Sequence, residues 1–572
     1  MERSNQNRFE KAIIENLLKR KYMLFCLALF LCLLQTACFT SVIGKKNDPS
    51  EGVYNLSGKN DQCGINDNKN GEIETRDKVK GYVSEVLKNY NPDASYTELK
   101  IAYPYDKSLF PPDIAAPTFE WIDKKADTKN WLVMVTFRDG HTPLFILCYE
   151  QHWTPDKELW DMMKQHSVRS PVQITVLGLN RPPLAEVISK GLINISTSKD
   201  EVGAPIMFRR VPPSFAYAAE HPEQMEWVLA DISSYEEPPV IMSKQPVCGS
   251  CHTFSWDGRV MGIDMDYKGN KGAYFLTSVR EDIGLTEQDF ISWNDFPRTD
   301  GLQSTGLYSR VSPDGEHVAS TVNEILLLIK IPDPYYSQLF FPLQGTLAIY
   351  STVNKTIAGL PGADLRDFVQ TDPSWSPDGN HLIFSRAPAK MDLFWDLGGQ
   401  TVFSVKEADI DWLNKQYPVK FDIYHIPFNN GKGGLAESLP GASNNGKSNY
   451  YPRYSPDGKW IVFTQSETGL AIQQDSRLFI MPATGGDAKM MSCNLSRVNS
   501  WHTWSPNSRW LAFVSKENTA YTELFLTHID EAGNDSPPIL LERFNKTGYA
   551  INIPEFANIS SKAIKRITLK GK

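Results

Sequence analysis

The sequence predicts an all-β chain in which a β-sandwich is followed by a β-propeller. Three observations support this prediction: strand-like segments between residues 96 and 203, a turn motif that recurs five times after residue 253, and an apolar strand behind each copy. A chain of 572 residues is longer than a single hydrophobic core ordinarily supports, so we expect more than one domain. The composition, 41% hydrophobic and 22% charged, is typical of globular proteins.

The first 38 residues have the pattern of an export signal. Lys19, Arg20 and Lys21 precede an apolar run over 22–34 that is too short to span a bilayer, and small residues then lead into Cys38. The segment resembles a bacterial lipoprotein signal. That resemblance implies lipid on Cys38 and a location in the periplasm or cell envelope of gram-negative type. The alternative is an ordinary secretory signal in which Cys38 is incidental.

Residues 39–95 predict a flexible tether that ends in a short helix. The tether is rich in Gly, Asn, Asp and Lys, and an apolar stripe from Val79 to Tyr90 has helical spacing. Residues 96–203 predict the sandwich, because segments 131–137, 143–149 and 172–179 are rich in β-branched and aromatic residues. The segment from Pro117 to Trp121 resembles the opening strand of Ig-like modules, which implies an Ig-like β-sandwich.

The turn motif organises residues 204–572. Its copies are FSWDG, VSPDG, WSPDG, YSPDG and WSPNS, and they begin at residues 254, 311, 375, 454 and 504. Proline fixes φ in such a turn, aspartate caps it and glycine takes the left-handed position. Four-stranded blades with insertions fit the uneven spacing. We expect five to six or more blades, with 206–211 and 550–559 forming a closing blade from both ends of the domain.

These repeats resemble the TolB-type β-propeller family. In that family the propeller binds proteins or peptides in the periplasm, and the turn residues are structural. The resemblance therefore implies that Asp314, Asp378 and Asp457 hold turns and take no part in catalysis.

The first repeat also contains the motif C-x-x-C-H, formed by Cys248, Cys251 and His252. Two cysteines at this spacing can form thioethers to the vinyl groups of a haem, and the following histidine can be an axial ligand of the iron. The motif therefore predicts one covalent haem c. A redox dithiol and another metal such as zinc are the alternatives, although a zinc site needs a second pair of ligands, which the sequence lacks.

The repeat alignment selects a candidate for the second axial ligand. It places His252 opposite His502, so His502 is expected near the same end of the central channel. Met265 and an open coordination position are the alternatives, whereas Met261 aligns with packing residues. Arg310 and Arg453 follow the position of His252 in their repeats. They are candidates to pair with haem propionates, or they are solvated or structural charges.

Three functions fit these signals. The first is a membrane-anchored c-type haem protein that transfers electrons to a redox partner. The second is a TolB-like scaffold for a protein partner, with a structural or vestigial haem motif. The third is an enzyme, and it lacks support because the sequence has no ordered catalytic motif. A net charge of -8 without clustered basic residues argues against nucleic acid as a partner.

Overall fold

The computed structural model of the protein describes residues 53–55, 76–180, 186–330, 339–404 and 414–570. The predicted signal with Cys38, and most of the predicted tether, lie outside these ranges. In the described part, strands dominate and helices are few, as the sequence predicted. No helix in these ranges is both long and apolar enough to cross a membrane.

The N-terminal domain contains two β-sheets that share a core. Seven strands form the larger sheet and three form the smaller one. Both parallel and antiparallel neighbours occur in the larger sheet. Its strands are Val53–Asn55, Thr97–Glu98, Ser108–Phe110, Asn130–Phe137, Leu144–Cys148, Val172–Leu179 and Val187–Thr197; those of the smaller sheet are Lys100–Tyr103, Phe119–Ile122 and His152–Trp153.

Two helices cover the larger sheet of this domain. The predicted helix extends over Arg76–Asn89, and its Val83 and Val86 pack on Leu132 and Leu177 of the sheet's outer face. The second helix, Lys157–Ser167, packs its apolar side into the core between the sheets. Because both faces of the sheet are buried, its strands are almost continuously apolar in sequence.

The propeller has six four-stranded blades in the described part of the chain; four of them are separate sheets, and the other two lie in one nine-stranded sheet that also contains Val402–Ser404. We number the blades in chain order by their first strand. From the innermost to the outermost strand they are: blade 1, Ala550–Phe556, Ile206–Val211, Glu226–Ala230 and Val240–Ser243; blade 2, Gly249–Phe254, Val260–Met265, Ala273–Ser278 and Phe290–Ser292; blade 3, Leu307–Val311, His317–Lys330, Leu339–Ser351 and Thr356–Gly359; blade 4, Phe368–Trp375, His381–Pro388, Asp422–Pro427 and Glu437–Ser438; blade 5, Ser448–Tyr454, Trp460–Ser466, Arg477–Pro482 and Lys489–Met490; blade 6, Asn499–Trp504, Trp510–Ser515, Glu523–His528 and Ile539–Leu540.

The ring closes through blade 1, which combines strands from the two ends of the propeller. Its innermost strand, Ala550–Phe556, pairs antiparallel with Ile206–Val211, so that Ile206 lies opposite Phe556. The innermost strands of consecutive blades contact one another, and that of blade 2 also contacts that of blade 1. The closing blade predicted from both ends is therefore confirmed.

The recurrent turns have the geometry that their residues predict. In the first copy the Ser255 hydroxyl donates to Asp257 over 2.8 Å, and Gly258 has a left-handed φ of 69°. A methyl group on Gly258 would also meet the backbone of Asn558, which excludes other residues there. Asp378 and Asp457 accept the equivalent serine bonds at 2.5 and 2.6 Å. The aspartates hold turns, as the sequence predicted.

Shorter elements complete the described ranges. The two N-terminal sheets dock on blade 6 and blade 1, for example where Asp200 accepts a 2.7 Å bond from His528. A parallel pair joins Asp282–Leu285 to Arg566–Leu569. The remaining elements are the helices Phe215–Glu220 and Met391–Asp396, the strand Val402–Ser404, and the 3₁₀ turns Pro222–Gln224, Glu287–Asp289, Trp293–Asp295, Asn429–Gly431 and Glu542–Phe544.

Candidate functional site

The central channel is closed by a layer of six residues at equivalent positions in the innermost strands. We call this layer the ring; it consists of Cys251, Tyr308, Asp372, Tyr451, Trp501 and Ile553. Each ring residue lies where strand pairing shifts register, as at a β-bulge. The hydroxyls of Tyr308 and Tyr451 hydrogen-bond to each other. Beside them the channel has a cavity of only about 20 Å³, enough for about one water molecule.

The ring backbone is unusual in five of the six blades. Tyr308, Asp372, Tyr451, Trp501 and Ile553 have φ between 44° and 57°, a left-handed conformation that disfavours large side chains. Among these six described residues, Cys251 alone is absent from that conformation. The backbone conformation at the ring position of the strand with the C-x-x-C-H motif therefore differs from that in the other five innermost strands.

His252 and His502, which follow ring residues, make the same contact in different blades. The Nε2–H of His252 donates to the Met207 carbonyl over 3.0 Å, and that of His502 donates to the Val462 carbonyl over 2.9 Å. Both carbonyls belong to the second strand of the preceding blade. The repeat alignment of the two histidines was therefore structurally correct, and each joins two neighbouring blades.

Both imidazoles are neutral in this setting. Burial lowers the pKa of His252 to about 4 and that of His502 to about 3. Both Nδ1 atoms are buried without a hydrogen-bond partner among the described residues. The unpartnered nitrogen of His252 is therefore not specific to the cysteine motif, because His502 has the same one.

The cysteines of the motif are buried thiols in different surroundings. Cys251 faces the ring cavity, and burial raises the pKa of its thiol to about 12. Cys248 is partly buried against an apolar cluster that joins blades 1 and 2, and burial raises its pKa as well. Both are free thiols. At neutral pH these groups are protonated and poor nucleophiles.

A covalent haem does not fit this arrangement. Cys251 and His252 are adjacent, but strand pairing is irregular at this position, and the two side chains have different surroundings. The Cys251 thiol faces a cavity of about 20 Å³, while the His252 ring is enclosed between blades on a carbonyl. Met265, the alternative ligand, is 1% exposed and packs in the core beside Met261. Haem at this motif remains a prediction from sequence.

In three blades, the residue one place after the position aligned with His252 is charged: Arg310, Arg453 and Glu555. Arg310 Nη1 donates to Glu555 Oε2 over 2.7 Å, and Arg453 Nη2 donates to Asp372 Oδ1 over 2.8 Å. Burial opposes the charge on Arg310, but Glu555 outweighs it and raises the pKa of the guanidinium. Burial raises the pKa of Asp372, and Arg453 opposes that rise. The two arginines predicted as propionate partners are thus engaged by protein carboxylates.

Above the ring, the channel opens into a concavity that we call the funnel. Its volume is about 150 Å³, and each blade contributes residues beside its turn motif. Arg310, Arg453 and Glu555 lie among its lining residues. Its aromatic lining consists of Phe254, Trp256, Trp375, Tyr454, Trp504 and Phe556. Such a mouth, with apolar walls and a few charged groups, is suited to hold part of a ligand.

This chain has distant similarity to solved structures. Its structural neighbours include TolB-like β-propellers. TolB from Acinetobacter baumannii is 14% identical, with 68% of this chain and 79% of that chain covered and a TM-score of 0.36. The corresponding values for a putative TolB from Agrobacterium tumefaciens are 14%, 59%, 88% and 0.31. For oligogalacturonate lyase from Vibrio parahaemolyticus they are 12%, 54%, 70% and 0.34.

No protein-family model and no curated protein matches this chain. Its propeller architecture follows from its own strand pairing. Within the described ranges, no group of three or more His, Cys, Asp or Glu side chains is arranged to hold a metal ion.

The sequence did not reveal Glu555 and Asp372 as partners of the arginines. Glu555 belongs to the closing strand, whose turn lacks the Ser-Pro-Asp-Gly signature, so the motif search does not align it. Aligning Ala557 with the turn serines would have placed Glu555 in register with Arg310 and Arg453. Asp372 lies two positions before the aligned arginine site, and only the ring geometry brings it to Arg453.

Proposed function

We propose that the protein is a β-propeller scaffold of the cell envelope that binds a partner protein through the funnel. The observation that carries this proposal is the convergence of all six blades on one mouth with aromatic walls and an arginine-containing floor. Aromatic residues and arginine contribute strongly to protein interfaces. Because the ring closes the channel below the funnel, the funnel is better suited to bind a ligand than to pass one through the propeller.

The envelope location rests on the N-terminal sequence. Export and lipid on Cys38 would hold the propeller at a membrane, with the residues between Cys38 and the strand Val53–Asn55 as a spacer. Metabolic labelling with a fatty-acid analogue should mark the wild-type protein. Equal labelling of a Cys38→Ser variant would contradict the anchor.

Electron transfer through a covalent haem is the second candidate. Its support is the spacing of Cys248, Cys251 and His252 together with the export signal. The buried side chains of Cys251 and His252, which have separate surroundings, add no support. We therefore place the partner-binding function first.

Photo-crosslinking tests the proposed interface. A benzophenone amino acid replaces Trp256, which is 44% exposed at the funnel, and in a matched variant it replaces Trp395, which is 68% exposed. Trp395 lines a separate groove of about 390 Å³. Residues of blade 3 and of the segments next to blades 3 and 4 form this groove. We expect a discrete adduct in cells from position 256 and none from position 395. Adducts from position 395 alone, or from neither, would overturn the proposal.

A further inference from the structure

The charged groups at the funnel form two ion pairs and have no net charge. Among its lining residues, Arg310, Arg453 and Glu555 are the charged ones, and their side chains are 15%, 12% and 19% exposed. Asp372 lies one layer deeper, is fully buried and is held by Arg453. A charge in a concave site with apolar walls acts more strongly than one on an open surface. Selection of an anionic group in the funnel therefore depends on a guanidinium with unused hydrogen-bond donors.

Arg310 has donors to offer to such a group. Its Nη1 holds Glu555, and its other N–H groups have no hydrogen-bond partner within the described ranges. A guanidinium can bind a carboxylate through two parallel hydrogen bonds. Arg310 can thus keep Glu555 and still contact a second carboxylate from the open side.

The shape of the funnel indicates whether that carboxylate belongs to the end of the partner chain or to an internal acidic residue. The ring closes the floor, because Tyr308 and Tyr451 hydrogen-bond across the channel and leave a cavity of about 20 Å³. A polypeptide that enters the funnel cannot pass through the channel, because the funnel is open on one side only. A chain end fits this space, whereas an internal acidic residue would need two chain segments in the mouth.

We propose that the funnel binds the C-terminal carboxylate of a partner, with the last side chain against the aromatic walls. This inference rests on the proposed function and names the chemical group that it recognises. Capture of a terminal carboxylate is a known mode of peptide recognition. Trp256, which is 44% exposed at the funnel, offers apolar surface for the terminal side chain.

Calorimetric titration with two peptides tests this proposal. The probes are N-acetyl-Ala-Ala-Leu with a free carboxylate and the same peptide as its C-terminal amide, each added to the full-length protein at low salt. We expect the acid to bind at least about tenfold more tightly than the amide, since hydrogen bonds to charged groups are the stronger ones. Equal affinity of the two peptides would overturn the proposal.

Variants locate the binding group. Arg310→Gln should reduce the affinity for the acid to that for the amide, and Glu555→Gln should increase it, because the competing carboxylate is gone. Arg366→Gln, at the separate groove, is the matched control and should change neither affinity. A preference for the acid that survives Arg310→Gln would also overturn the proposal. If position 256 still crosslinks while acid and amide bind alike, this inference fails and the proposed function stands.

Discussion

The innermost strands of blades 2 and 6 differ in their cysteines and share their histidine. His252 and His502 occupy the same position, are buried to 0% and 3% exposure, and donate to equivalent carbonyls of the preceding blade. Cys251 precedes the first and Trp501 the second. Blade 6 has no thiols, yet its histidine has the same environment. The comparison shows that blade packing alone accounts for the histidine of C-x-x-C-H, while the cysteines are particular to blade 2.

The largest expected effect comes from removing either histidine. His252→Ala and His502→Ala each leave a cavity and an unpaired buried carbonyl, so we expect each to lower the free energy of unfolding by about 4 kcal/mol. Denaturant titration at neutral pH measures this. A loss for His502→Ala with little change for His252→Ala would break the equivalence of the two blades.

Acid should weaken both blade contacts. The imidazoles are neutral in the folded state, with pKa values of about 4 and 3, whereas the unfolded chain takes up a proton near 6.5. The stabilisation is therefore present above pH 6.5 and is lost as the pH falls toward the folded-state pKa, by roughly 3 kcal/mol per histidine near pH 4.

Glutamine variants isolate this contribution. His252→Gln and His502→Gln can keep a donor but cannot titrate, so each should flatten the dependence of unfolding free energy on pH between about 6.5 and 4. Urea titrations at several pH values provide the comparison. Wild type and variants with parallel pH profiles would show that the histidines are not the groups that titrate.

The cysteines should matter least to stability. Cys248→Ser with Cys251→Ser exchanges two buried thiols for hydroxyls of similar size, and we expect a loss of about 1 kcal/mol. Produced alongside a cytochrome maturation system, neither wild type nor double variant should stain for haem peroxidase on a denaturing gel. A stained wild-type band that disappears in the variant would show that haem is attached at these cysteines. Blade 2 would then have a function that blade 6 lacks.

Local patterns predicted the repeated parts of this molecule well. Each Ser-Pro-Asp-Gly copy specifies a turn through its own atoms, so the blades and even the closing strand near residue 550 could be placed. The ring could not, because its bulges come from contacts between neighbouring blades. The Arg310–Glu555 pair likewise joins residues far apart in the sequence, whose proximity exists only after the ring closes.

The motif at residue 248 shows the opposite limit. Its spacing indicates haem chemistry, but spacing does not specify that the segment is a strand of a packed blade, in which Cys251 faces the ring cavity and His252 is buried between two blades. In the N-terminal domain, the apolar strands were found from sequence. The packing of Arg76–Asn89 over their outer face depended on side chains 40 to 100 residues away.

The closing strand of blade 1 also governs how this chain must fold. The strand Ile206–Val211 can pair with Ala550–Phe556 only after that segment has been synthesised. The blade whose synthesis begins first is therefore completed last. Until then the edge of Ile206–Val211 that will receive that strand has unpaired backbone groups, which favour aggregation in a folding intermediate. Contacts between such distant segments also make folding slow. A chaperone that covers this edge until residue 556 has been synthesised would prevent such aggregation.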